Sequence, residues 1–250
     1  MSKLASFIIP FCNRPAELKR CLESIEPLTT DHYAYEAVII DDASTDPTID
    51  IHINGWKKKW PTNITVLRFR EHMERIYAFN AGMLQAEGEW IIHLDSDDEM
   101  KQWFKQEFEK MLEKHPLANI LVWKGEIHWR NGKITERPLF RPAMKDNGQC
   151  EEFKSGVCFS GGFAFRKKCL NVTGYLPEPR HEDRLNPWKF GEKFLNRFKE
   201  LKPLYTLPDG RLKTDIGNPW GNDFAMMYML TRHWMPYSVD KNLHITHVRP

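Results

Sequence analysis

The sequence predicts an α/β fold built on a mostly parallel central sheet with flanking helices and a small antiparallel portion. Three observations carry this. The first hundred residues alternate short apolar runs with amphipathic stretches, the pattern of parallel strands joined by crossover helices. Each apolar run ends in polar residues. Past Ala118 the alternation gives way to two short runs around Asn131-Gly132, the signature of an antiparallel hairpin.

Taken in order, the expected strands are Ala5 to Phe11, Tyr35 to Ile40, Ile64 to Phe69 and Trp90 to Leu94. Pro15 to Ile25 places Leu18, Cys21, Leu22 and Ile25 on one helical face, and Pro15 suits a first helical turn. Ile76 to Ala86 repeats the pattern with Ala78, Ala81, Gly82 and Gln85 kept small, which predicts close packing on the sheet. Lys101 to His115 is a further amphipathic helix, stopped by Pro116. Ala118 to Trp123 precedes the hairpin of Glu126 to Arg130 and Ile134 to Phe140. Six prolines punctuate residues 175–220, which read as an insertion with one helix near Phe190 to Glu200. A helix from Asp223 to Arg232, a short strand at Tyr237 to Val239 and a His-containing tail complete the chain.

Composition narrows the function. With 36 Lys+Arg against 34 Asp+Glu the formal charge is +2, so nothing draws the chain as a whole to nucleic acid or anionic lipid. Five cysteines, Cys12, Cys21, Cys150, Cys158 and Cys169, contain no Cys-x-x-Cys pair, which signals neither a disulfide framework nor a zinc site and fits a reducing compartment. No apolar stretch approaches the ~20 residues of a membrane span, and Met1 to Phe11 runs into a strand without a signal-peptide core. The expectation is a cytoplasmic protein.

In open parallel sheets ligands bind outside the carboxyl ends of the strands, so the polar tips are the first place to look for chemistry. They are Pro10-Phe11-Cys12-Asn13-Arg14, Asp41-Asp42-Ala43-Ser44-Thr45-Asp46 and Asp95-Ser96-Asp97-Asp98. Ser44, Thr45 and Asp46 equally suit turns and helix caps. The third tip differs, because three carboxylates in four residues repel one another unless a cation sits among them. Hard oxygen donors without thiolates suit Mg²⁺ or Mn²⁺, and a diphosphate would complete the shell. Glycine-rich phosphate loops are absent from the sequence, so metal bridging would replace backbone cradling.

These segments, with Ala78-Phe79-Asn80-Ala81-Gly82, Gly88 to Asp98, Ser160-Gly161-Gly162-Phe163-Ala164-Phe165-Arg166 and Trp220-Gly221-Asn222-Asp223-Phe224, resemble glycosyltransferase family 2 in order and spacing. The resemblance implies a GT-A fold and inverting transfer of a sugar from a nucleotide-diphosphate donor, usually UDP, to a saccharide or glycolipid-type hydroxyl acceptor. It implies one GT-A domain over residues 1–250, with 1–123 as the nucleotide-sugar-binding half and 124–250 as the acceptor-binding half. Pro10, Asn13 and Arg14 would border the nucleotide, Asp42 would accept a hydrogen bond from the base, and Arg75 would touch phosphate or base. Asp95 would lie against the ribose or the metal's water. Asp97, in the Asp-x-Asp signature Asp95-Ser96-Asp97, would ligate Mn²⁺ or Mg²⁺.

An attacking hydroxyl must lose its proton, and the family places an acidic pair at a helix start for this purpose. Here the pair reads Asn222-Asp223, so Asp223 keeps the base while the preceding acid is lost; Asp223 also fits a helix N-cap. Glu182-Asp183 is the second acidic pair. Trp220 would stack on a sugar or fill the core, and Asn222 would stand beside the acceptor. A late His completes the metal shell in many relatives. Strand alternation would put His244 and His247 on opposite faces, so at most one is a ligand, and His247 lies nearer the family's usual position. Two other classes remain open. A nucleotidyltransferase would use similar carboxylates, though its usual glycine-rich loop is missing, and a non-catalytic sugar-nucleotide-binding module would keep the fold without turnover.

Overall fold

The computed structural model describes residues 3–29, 34–60, 63–73, 75–137, 161–173, 226–227, 230–231 and 233–247. Four strands open the fold: β1 (Ala5–Phe11), β2 (Tyr35–Asp41), β3 (Ile64–Arg68) and β4 (Trp90–His93). Helices α1 (Pro15–Thr29), α2 (Ile49–Lys59) and α3 (Arg75–Gln85) connect them. There follow β5 (Glu99–Met100), α4 (Phe104–Lys114), β6 (Ile120–His128), β7 (Ile134–Arg137), β8 (Phe163–Arg166), α5 (Leu170–Thr173) and β9 (Tyr237–His247).

All nine strands join one sheet of order β3-β2-β1-β4-β8-β6-β9-β5, with β7 pairing β6. The contiguous β3-β2-β1-β4 block is parallel, and β6 and β9 are parallel to each other. Only β5, β7 and β8 enter by antiparallel pairings, so the sheet is mostly parallel with a smaller antiparallel part.

Burial on both faces explains the unbroken apolar runs of the central strands. In β1, Phe7 and Ile9 join a core beneath α1, α2 and α4, while Ile8 joins a second core beneath α3. Leu18, Cys21, Leu22 and Ile25 of α1 are all buried on the first face, as their spacing predicts. On the second face a Cβ at Gly82 would overlap Ile8 and lie 2.8 Å from Ile40 Cδ1, which is why α3 needs glycine there to approach the sheet. Met226, Met227 and Leu230 are buried in this second core, so these three residues dock on the α3 side.

Several elements exceed their expectations. Helix α2 was not anticipated, because Gly55 and the run Lys57-Lys58-Lys59 blur its pattern; Ile49, Ile53 and Trp56 nevertheless fall at i, i+4 and i+7 and are its buried residues. Ala118 to Trp123 and Glu126 to Arg130 merge into the single strand β6, with Asn131-Gly132 at the hairpin turn and Gly132 at φ 79°. The short strand expected at Tyr237 to Val239 continues to His247, because its register on β6 shifts twice and lets it follow that strand to the end. The expected helix near Phe190 to Glu200 and the insertion at 175–220 lie outside the described residues. No helix among the described residues is long and apolar enough to cross a membrane.

Candidate active site

The carboxyl ends of β1, β2 and β4 and the start of α3 enclose a cavity of about 180 Å³. Pro10, Arg14, Asp42, Arg75 and Asp95 from the sequence reading line it, joined by His72. The two acids of the β2 tip go separate ways. Asp41 is fully buried: its carboxylate accepts from Arg68 Nε at 2.5 Å and from the Ser44 amide at 2.9 Å. Asp42 instead turns to the cavity, held by the Met73 amide at 2.6 Å and by His72 Nδ1 at 2.9 Å.

Backbone strain shapes this tip. Ala43 has φ 58° and Asn13 φ 52°, a region that non-glycine residues seldom occupy. Asn13 is held there by three hydrogen bonds. Its amide donates to Ser44 Oγ at 2.9 Å, and its side-chain oxygen accepts from the Thr45 and Asp46 amides at 2.8 and 3.0 Å. Asn13 therefore clasps the β1 tip to the β2 tip and does not line the cavity. Asp46 accepts from the Thr48 amide at 2.8 Å just before α2, so Ser44, Thr45 and Asp46 serve the turn.

Across the cavity Arg75 Nη2 stands 2.6 Å from both oxygens of Asp95, a bifurcated charge-assisted contact from one guanidinium nitrogen that holds that carboxylate. Asp97 is buried, with Arg14 Nη1 at 3.9 Å from its Oδ2, and its backbone oxygen accepts from Arg20 Nη2 at 3.0 Å. Asp98 is buried as well; burial first, and then the charges of Asp95 and Asp97, push its carboxyl well above the usual range. Cys12 at the rim has its thiol pushed up by burial and by Asp42 and Asp41, which disfavours the nucleophilic thiolate.

The charge crowding around Asp98 is what a cation would relieve. Among the described residues no three His, Cys, Asp or Glu side chains converge on one point. Mg²⁺ and Mn²⁺ bind through one or two carboxylates with phosphate oxygens and water completing the shell, so Asp95 and Asp97 are the residues that would hold one. His247 is engaged elsewhere: its Nε2 is 2.6 Å from Glu99 Oε1, and its amide donates to Asp98 Oδ1 at 3.3 Å. Glu99 also holds Arg20 Nε at 2.8 Å, so one carboxylate ties α1 and the end of β9 to the acidic tip. Neither Arg20 nor Glu99 stood out in the sequence, since their partners lie 79 and 148 positions away. His72 likewise carried no motif.

His244 is fully buried and its Nε2 is 3.2 Å from Thr246 Oγ1. Its ring fills the space that side chains at Gly125 and Gly161 would need. Gly161 sits at φ 74°, its amide donating to the His93 carbonyl and its carbonyl accepting from Trp123 Nε1 at 2.6 Å. A Cβ at position 125 would collide with the imidazole. Gly125→Val is therefore expected to lower the unfolding free energy by about 1–3 kcal/mol, read from urea denaturation, and wild-type stability in this variant would show that the ring can move aside. Trp220, Asn222, Asp223 and Glu182-Asp183 lie outside the described residues.

A sheet of this order carrying an acidic tip beside β4 is the architecture of GT-A glycosyltransferases. The family model "Glycosyl transferase family 2" matches residues 6–174, and the chain belongs to that family. It is 27% identical over 146 residues to the poly(ribitol-phosphate) beta-glucosyltransferase of Bacillus spizizenii, covering 56% of this chain and 22% of that protein. It is 29% identical over 148 residues to the dolichyl-phosphate beta-glucosyltransferase of Drosophila melanogaster, covering 56% and 45%. The crystal structure of S. aureus TarS 1-349 in complex with UDP is similar with a TM-score of 0.62 at 20% identity, over 99% of this chain and 61% of that one. The chain thus spans less than two thirds of the length of these relatives.

Proposed function

We propose that this protein transfers a sugar, with inversion, from a UDP-sugar to a saccharide or other hydroxyl acceptor in the cytoplasm. The observation that carries the reading is the cavity where Asp42, Arg75 and Asp95 meet beside buried Asp97. The similar crystal structures of S. aureus TarS 1-349 in complex with UDP and with UDP-GlcNAc support the donor class. Relatives named as glucosyltransferases of poly(ribitol-phosphate) and dolichyl-phosphate support glycosyl transfer, with the acceptor left broad. Free Cys12, Cys21 and Cys169 among the described residues support a reducing compartment.

In this reading Asp42 accepts a hydrogen bond from the base, and Arg75 holds Asp95 in position beneath the ribose. Asp97, assisted by Asp95, would hold Mn²⁺ or Mg²⁺, which when bound would supply positive charge to offset that of the departing diphosphate. Asp223 takes the acceptor's proton as its oxygen attacks the anomeric carbon, and the bond from that carbon to the diphosphate breaks on the opposite face. His247 acts through Glu99 by fixing the acidic tip. Trp220 and Asn222 face the sugar and the acceptor.

Thermal-shift titration with UDP, GDP, dTDP and CMP, each with and without Mn²⁺, tests the reading. Metal-dependent stabilisation by UDP is the expected result, and silence towards every nucleotide would overturn it. Asp97→Ala should weaken UDP binding in Mn²⁺ by about tenfold or more and leave the metal-free response unchanged. Equal loss with and without metal would remove Asp97 from the cation.

A further inference from the structure

A second cavity, about 410 Å³, lies on the α4 side of β6 and β9, apart from the nucleotide pocket. Its wall comes from an irregularity in the sheet. Trp123 pairs with Val239, but the next residue, Lys124, pairs with Asn242, so Asp240 and Lys241 are extra residues displaced from the ladder. Bulges of this kind re-aim side chains and recur beside functional sites. Lys124 reaches back to Asp240 at 2.6 Å. Trp103, at the start of α4, donates its indole N–H to the Asn242 carbonyl at 2.9 Å, yet the side chain stays 46% exposed. The Lys101 ammonium stands over the ring at 5.6 Å from its centroid, and the ring, locked at its edge and half-exposed, is a stacking platform at the groove.

We infer that this groove is an accessory saccharide-binding site, which takes an uncharged, hydroxyl-rich segment of glycan against Trp103. Glu107, Glu126, Glu136 and Asp240 line it against Lys124 and Lys241, and Lys110 and Lys101 pair the first two of these acids, so the groove is close to neutral and offers no free cluster of cations to a polyphosphate or polyuronate chain. Asn242 Nδ2 donates to Glu136 Oε1 at 3.1 Å, and each carboxylate keeps further lone pairs that can accept from vicinal hydroxyls. The groove also leads somewhere. Glu126 Oε2 is 3.1 Å from His128 Nε2, and the His128 ring is 5.4 Å from that of His247, whose amide meets Asp98. A bound chain would extend from Trp103 towards the acidic tip, holding an acceptor by units remote from the reacting sugar. That last step rests on the transferase reading, whereas the binding site does not.

The test titrates the protein with maltohexaose, cellohexaose, chitohexaose and tetragalacturonate by calorimetry and saturation-transfer NMR, with UDP and Mn²⁺ titrated in parallel. At least one neutral hexasaccharide should bind, and more tightly than tetragalacturonate. Trp103→Ala should weaken it by about tenfold, while Trp103→Phe, which keeps a stacking face, should stay within about threefold of wild type. Asp240→Asn, on an exposed bulge, should weaken it without disturbing the fold. The UDP response should be unchanged in all three variants. Binding by none of the hexasaccharides, or Trp103→Ala binding like wild type, overturns the site, as does preference for tetragalacturonate. Oligosaccharide binding in a protein silent to every nucleotide would instead sink the transferase reading and leave the groove standing.

Discussion

Asp223→Asn is expected to cut sugar transfer by about 10²–10⁴-fold while leaving UDP affinity within about twofold of wild type. The substitution keeps the shape and removes only the capacity to take a proton. Met226, Met227 and Leu230, a few positions further on, are buried in the α3-side core. Hydrolysis of a UDP-sugar, with water as acceptor, gives a readout before any acceptor is known, and calorimetry with UDP supplies the control. The comparison variants are Glu182→Gln and Asp183→Asn, which should turn over as wild type. If Asp183→Asn abolishes hydrolysis and Asp223→Asn does not, the base belongs to the other acidic pair.

How far the sequence speaks for this molecule depends on whether a feature is local. Strands β1 to β4 and helices α1 and α3 were legible because each is buried by its own periodicity. Gly82 was legible for the same reason, as a gap in a helical face that must meet the sheet. The two-residue strand β5 had no such signal: it exists through its pairing with Ile245 and His244, far along the chain. The long reach of β9 depends on bulges that no alternation encodes, since Asp240, Lys241 and Leu243 interrupt the pairing.

The site divides in the same way. The acidic tips announce themselves as polar residues after apolar runs. What holds them does not. Asp41 and Asp42 look alike in sequence, yet one is sealed beneath Arg68, its cross-strand neighbour in the β2–β3 register, and the other lines the cavity. His247 was read as a metal ligand from the family's usual position, whereas its engagement with Glu99 came only from the fold. Glu99 itself reads as one more acid at the end of a run, although it clamps two elements at once.

Glu36→Ala should lower the unfolding free energy at pH 7 by about 3 kcal/mol, the largest stability loss expected from one side chain here. The carboxylate is buried at the foot of the sheet, far from the strand tips, with 2% of its side chain exposed. It accepts from Lys3 Nζ at 2.9 Å, Ser6 Oγ at 2.5 Å and the Glu87 amide at 2.6 Å, and the Gly88 amide reaches it at 3.2 Å. Truncation would take this acceptor from the Ser6 hydroxyl and the Glu87 amide, while the Gly88 amide would keep Ser6 Oγ at 2.8 Å and Lys3 would keep Glu87 Oε2 at 3.4 Å. Burial alone would push the carboxyl up, but the hydrogen bonds from Ser6, Lys3 and the Glu87 amide outweigh it and hold it below the usual range. A carboxyl depressed in the folded state contributes stability that is complete above its unfolded value, about 4.3, and is lost as pH falls through the folded value. The stability gap between wild type and Glu36→Gln should accordingly hold from pH 7 to 5 and narrow below about pH 4, measured by urea denaturation across that range. A gap that stays constant on acidification would mean the charge is not what stabilises the foot of the sheet. Because Glu36 joins the start of β1, the start of β2 and the turn into β4, it sets the three strands whose far ends form the nucleotide cavity. Folded Glu36→Gln protein should still bind UDP as wild type does, since those tips keep their own contacts.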